Sequence, residues 1–127
     1  MNKILKRGLT VIGICVVIVL GLVAYYFIAI TKLDAVKTVN ISQVADGVYI
    51  GEQDAFPVSV RVEITVKDHK ITNLQILKHK NGRGKKAESM VEDIIDKNTS
   101  DVDEVSGATM SSKTIKAAVN NALKQGE

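Results

Sequence analysis

The sequence predicts a small α+β domain, an antiparallel sheet with two packed amphipathic helices, preceded by one N-terminal transmembrane helix. Three observations carry this. Residues 9–30 run for 22 positions without a charge, Val58, Val60, Val62, Ile64 and Val66 alternate with polar residues, and two later stretches repeat apolar residues at helical spacing. With 127 residues, the chain has room for one small domain behind the apolar run.

Taken in order, residues 1–8 are a basic flank with Lys3, Lys6 and Arg7. The run over 9–30 reaches about 33 Å as a helix, enough for a hydrocarbon core of about 30 Å. It exceeds the apolar tract of a signal peptide and no small-x-small cleavage site follows, so retention as an anchor is expected. Tyr25, Tyr26 and Phe27 fit an interfacial belt, and the basic flank places the N-terminus in the cytoplasm and the domain on the extracytoplasmic side. Residues 31–44 read as a polar juxtamembrane linker, and 45–127 as the folded domain.

Within that domain, Asp46-Gly47 opens a strand over 48–52 that Gln53-Asp54 turns. The alternation over 58–66 makes a strand with one aliphatic and one polar face, the pattern of a half-buried antiparallel sheet, and Pro57 suits its start. Asp68-His69 turns the chain into a partner strand over 70–78. There Ile71 is out of phase with Leu74 and Ile76, which a bulge near Thr72-Asn73 reconciles. Residues 79–86 read as a basic, Gly-containing loop. Ala87, Met90, Val91, Ile94 and Ile95 define one helical face over 86–98, and Ile115, Ala118, Val119, Ala122 and Leu123 define another. Ser111 or Ser112 is the expected N-cap of the second helix, and 102–105 a short strand leading to it.

Charge and composition exclude several functions. The net charge of +3 comes from the N-terminal flank, since from residue 31 onward 14 basic residues balance 14 acidic ones. That balance, with no tryptophan and few other aromatics, argues against nucleic-acid binding. Cys15, the only cysteine, lies inside the apolar run, so no intramolecular disulfide or thiolate metal site is expected. Ile12-Gly13-Ile14 before it is a poor lipoprotein cleavage site. No nucleophile, base and orienting acid occur at recognisable spacing, and no dinucleotide fingerprint is present, so an autonomous hydrolase or transferase is not expected. A Thr109 nucleophile would need a base, and Lys113 stands one helical turn away.

The chemistry gathers at Asp103-Glu104-Val105-Ser106-Gly107-Ala108-Thr109. Gly107 and Ala108 permit close approach to the backbone, and the free N–H groups of the helix that follows favour an anion beside the Thr109 hydroxyl. A plain turn with a capping hydroxyl looks the same. Asp-x-x-Ser-Gly-Ala-Thr resembles the flavinylation motif of the FMN-binding domain family, whose members include flavin subunits of ion-pumping respiratory complexes. Looser similarity extends to Asp46–Gly51 and His79–Gly84, so the resemblance covers roughly 44–124.

The resemblance implies that a flavin transferase takes FMN from FAD and joins its phosphate to Thr109. It makes Ser106, Gly107 and Ala108 the turn the transferase accommodates and Asp103 its acidic recognition residue. It also brings the 79–86 loop, with His79 and Gly82, near the cofactor. The expected function is then a membrane-anchored electron-transfer flavoprotein with covalent FMN, supplied by a membrane donor such as a quinone-linked reductase. The alternative is an unmodified, membrane-tethered binding or scaffold module without a cofactor.

Overall fold

The computed structural model describes residues 2–80 and 85–127. It divides into two compact units, Met1–Thr31 and Lys32–Glu127. The first consists of most of helix α1 (Lys3–Asp34), which is long and apolar enough to cross a membrane. It is one long apolar N-terminal helix, of the kind found in membrane anchors and signal sequences.

The second unit is an antiparallel meander, β1 (Gly47–Ala55), β2 (Val58–Lys67) and β3 (Lys70–Lys80), with strand order β1-β2-β3. A 3₁₀ turn (Lys85–Ser89) leads into α2 (Met90–Lys97), and α3 (Thr109–Leu123) follows. The aliphatic face of β2 is fully buried, as the alternation requires. It meets Ile115, Ala118, Val119, Ala122 and Leu123 of α3 and Met90 and Ile94 of the α2 region in one core. Each of the valine, isoleucine, leucine and methionine side chains among them contributes about 1.5–3 kcal/mol relative to exposure. Helix α3 crosses β1 and β2, while α2 lies against β3. The crossing is close because Gly51 has no side chain. A Cβ there would run into the Ala118 carbonyl oxygen and lie 2.5 Å from Ala122 N.

Turns and bulges set the register. Asp68 and His69 both have positive φ, 51° and 59°, as a two-residue type I′ hairpin demands. Asp46 accepts a hydrogen bond from Asp68 N, and Asn98, in the left-handed conformation after α2, donates to His69 O and accepts from Ile71 N. Thr65 pairs with Asn73 and Val66 with Ile71, so Thr72 is the extra residue of the bulge that the phase of Ile71 called for. A second irregularity lies between the Arg61–Lys78 and Val62–Ile76 pairs, with Leu77 as its extra residue.

Several boundaries differ from the sequence reading. Strand β1 continues to Ala55 and turns at Phe56-Pro57 instead of Gln53-Asp54, because pairing with β2 carries through Asp54 to Ala55. Residues 101–105 form no strand, and the beginning of the first predicted helix is 3₁₀. Residues 33–44 are not merely a polar connection. Leu33 packs with Ala55 and Ala117, while Val39 and Val44 join the main core. Val39 N donates to the buried Asn120 Oδ1, which also accepts from Ser100 Oγ at 2.6 Å. Their apolar residues follow no helical or strand period, so pattern alone could not place them.

Candidate functional site

The motif forms a tight turn directly ahead of α3. Ala108 N donates to Val105 O at 3.0 Å, and Gly107 at the third position has φ +79°, the left-handed value a type II turn needs there. Thr109 is then the first residue of α3, three to four positions earlier than serine capping would have set it. Ala108 is the N-cap and supplies no side-chain hydrogen bond.

Ser111 and Ser112, the expected caps, are buried inside the first turn instead. Ser112 Oγ accepts from Val105 N at 3.0 Å, tying the turn to the helix, and Ser112 N donates to Ala108 O to start the helical ladder. The serines therefore anchor α3 from within. That leaves its leading N–H groups, which have no carbonyl partner in their own helix, uncovered by a capping side chain.

His79 provides the lateral anchor. The irregularity at Leu77 brings His79 opposite Val60, on the buried face, and its side chain is only 1 % exposed. Its Nδ1 lies 3.1 Å from Glu88 Oε1 and its Nε2 3.1 Å from Ser111 Oγ. One imidazole thus connects the end of β3, the 3₁₀ turn and the first turn of α3. The predicted loop position for His79 is corrected: it belongs to β3 and faces inward.

Lys86 completes the surroundings. A Cβ on Gly107 would lie 2.7 Å from Lys86 Nζ, so the ammonium rests over the turn where a side chain would otherwise stand. Ser106 and Gly107 are exposed, Ala108 is buried and Thr109 half-buried. Asp103 is exposed on the irregular segment before the turn. The structure thus groups Ser106, Gly107, Ala108 and Thr109 with Lys86, and places His79 beneath the same helix start. Gly82 lies outside the described residues.

Lys113 is not a base for Thr109. Its ammonium donates to the Asp34 carboxylate and lies 3.0 Å from Glu104 Oε1. The Asp34 hydrogen bond chiefly, aided by Glu104 and opposed by partial burial, raises its pKa above the ordinary 10.5. Lys116 donates to Val102 O at 3.0 Å and lies 3.9 Å from Glu104, further fixing the segment before the turn. Among the described residues no group of His, Cys, Asp and Glu side chains has the arrangement of a metal site.

Comparison with family models gives a match to the FMN-binding domain over residues 57–124, more than half of the chain. The chain belongs to the FMN-binding domain family. The matched region holds β2, β3, both domain helices and the whole Asp103–Thr109 motif, and leaves β1 outside. Comparisons with curated proteins and with solved structures give no match. Membership implies an FMN cofactor, and the chemistry at the start of α3 fits its phosphate. Uncapped N–H groups, the positive end of the helix dipole and the Lys86 ammonium all favour an anion at Thr109.

The contacts of His79 with Glu88 and Ser111 escaped the sequence reading because no short spacing links them, and that reading brings Lys86 near the cofactor only as one residue of the 79–86 loop. His79 is 9 residues from Glu88 and 32 from Ser111. Only the register change before His79, itself invisible in the alternation, turns the imidazole inward.

Proposed function

We propose that FMN is joined through its phosphate to Thr109 Oγ1 and that the domain serves as a membrane-anchored, extracytoplasmic electron carrier. The observation that carries this reading is the uncapped start of α3, with Thr109 as its first residue and Lys86 over the Gly107 turn. In the modification, the Thr109 oxygen forms a new bond to the flavin-side phosphorus of FAD. The pyrophosphate bond breaks, AMP leaves and the hydroxyl proton is released. A flavin transferase catalyses this exchange, with Ser106, Gly107 and Ala108 as the turn it accommodates and Asp103 as its acidic contact.

The chain's own residues then hold the ester. Lys86 and the first N–H groups of α3 offset the phosphodiester charge, while His79, Ser111 and Ser112 keep the helix start in place. Bound FMN supplies one- and two-electron chemistry, and the protein supplies its position and tunes its potential. A covalent link retains the flavin outside the cytoplasm, and the apolar helix α1 holds the carrier near a membrane donor such as a quinone-linked reductase.

Co-expression of the full chain with a competent flavin transferase tests this reading. Fluorescence that survives denaturing electrophoresis and vanishes in Thr109→Val is the expected result. Together with reversible reduction and reoxidation, it supports the carrier. A colourless chain beside an active transferase overturns the flavin reading and leaves a tethered binding module.

A further inference from the structure

An open groove of about 330 Å³ lies at the β1–β2 hairpin tip, lined by Phe56, Pro57, Val58, Lys78 and Lys80 together with Asp54 and Ser59. Phe56 is 72 % exposed, more than Val48, Ile50 or Leu77 of the same sheet. The groove lies at the same end of the sheet as the motif. Ala55, next to Phe56, belongs to a cluster against which Met110 of the first turn of α3 packs. At the other side of that turn, His79 points inward and reaches Ser111, while its neighbours Lys78 and Lys80 stand on the outer face of the sheet, where the groove opens beside the hairpin tip.

We infer that this groove is the subsite for the isoalloxazine ring, a reading that rests on the proposed attachment of FMN to Thr109. The chemistry of its lining suits that ring. Phe56 and Pro57 offer apolar surface, including one aromatic face, to a flat tricyclic system, while Val58 beneath them is buried in the core. Lys78 and Lys80 bring two positive charges to the same groove. The Asp54 carboxylate is engaged by the Ser59 hydroxyl and offsets only one of them. A net positive lining attracts the electron-rich pyrimidine edge, and attracts it more strongly in the reduced ring, where negative charge collects. The inference therefore assigns Phe56 to positioning the ring, and Lys78 and Lys80 to raising its reduction potential.

The test uses the full chain, co-expressed with a transferase, and the variants F56W, V48W and K78E/K80E. Intact mass is measured first, because a wild-type chain without the FMN mass defeats the attachment reading, whatever the groove does. With FMN attached, flavin fluorescence lifetime is the readout. The chain has no natural tryptophan, so an introduced indole is the single strong contact quencher of its kind. Val48 is equally suited as a control, being exposed at the opposite end of β1.

The expected result is a severalfold shortening of the lifetime in F56W and little change in V48W. Potentiometric titration of K78E/K80E should lower the two-electron potential by about 30 mV or more, a tenfold shift in the reduction equilibrium. Normal attachment with an unchanged lifetime in F56W overturns the assignment of the ring to this groove. So does normal attachment with an unchanged potential in K78E/K80E. Should F56W lose its fold, as circular dichroism would reveal, the lysine variant alone decides, since both residues it changes are exposed.

Discussion

The Glu88–His79–Ser111 connection makes a quantitative prediction. In His79→Ala, the buried Ser111 hydroxyl loses its imidazole partner, and an unsatisfied buried polar group costs about 1–3 kcal/mol. The Glu88 side chain is 39 % exposed and regains water, so its share is smaller, about 0–1 kcal/mol. Loss of the buried ring adds a packing term, for a total of about 3 kcal/mol. For a domain of this size, that lowers the melting temperature by roughly 12–24 °C.

Ser111→Ala should cost about 1–2 kcal/mol, because only one hydrogen bond is lost and the imidazole keeps its carboxylate. The double variant should be milder than the sum by about 1–2 kcal/mol, since either single change already breaks the same contact. The assay is thermal unfolding of the detergent-solubilised full chain by circular dichroism, with the flavinylated fraction measured by mass. Additivity within about 0.5 kcal/mol would refute the view that His79 acts on α3 through Ser111.

Three other perturbations have definite outcomes. Gly51→Ala puts a methyl against the backbone of α3, so it should destabilise the domain by about 1–3 kcal/mol in the same melt, and a neutral result would contradict the close crossing. Gly107→Ala should cost about 1–2 kcal/mol for its left-handed φ and should reduce modification of Thr109, scored by the flavinylated fraction at fixed transferase. The pKa of Lys113 is higher in the fold than its ordinary 10.5, so its ion pairs stabilise fully below that pH and are lost as pH rises through the folded value. The melting-temperature gap between wild type and Lys113→Met should therefore hold across neutral pH and shrink as the pH rises into strong alkali.

Much of the architecture was legible because period-2 and helical patterns report directly on buried faces. The β2 alternation, the two apolar helix faces and the out-of-phase Ile71 all correspond to features of the fold. What escaped was decided by contacts between residues distant in sequence. Leu33, Val39 and Val44 dock without any period, and β1 persists to Ala55 because β2 pairs with it that far.

Helix α3 begins at Thr109 for a similar reason. Its two serines find partners in Val105 and His79, so the hydroxyls that local preference assigns to capping are used inside the fold. The motif itself stood out in sequence, as small residues before a helix. That Lys86 is the residue of the 79–86 stretch that meets the turn, and that the His79 imidazole points inward below it, required the three-dimensional arrangement.

The most direct test of the central claim is fragment-ion mapping of the tryptic peptide spanning residues 98–113, taken from the full chain made with an active flavin transferase. This peptide carries several hydroxyl residues, Thr99, Ser100, Ser106, Ser111 and Ser112 among them, so it discriminates between attachment points. The account predicts a single adduct with the mass of FMN less water, located on Thr109. An adduct on any other hydroxyl, or an unmodified peptide from a preparation whose transferase labels another substrate, would contradict it.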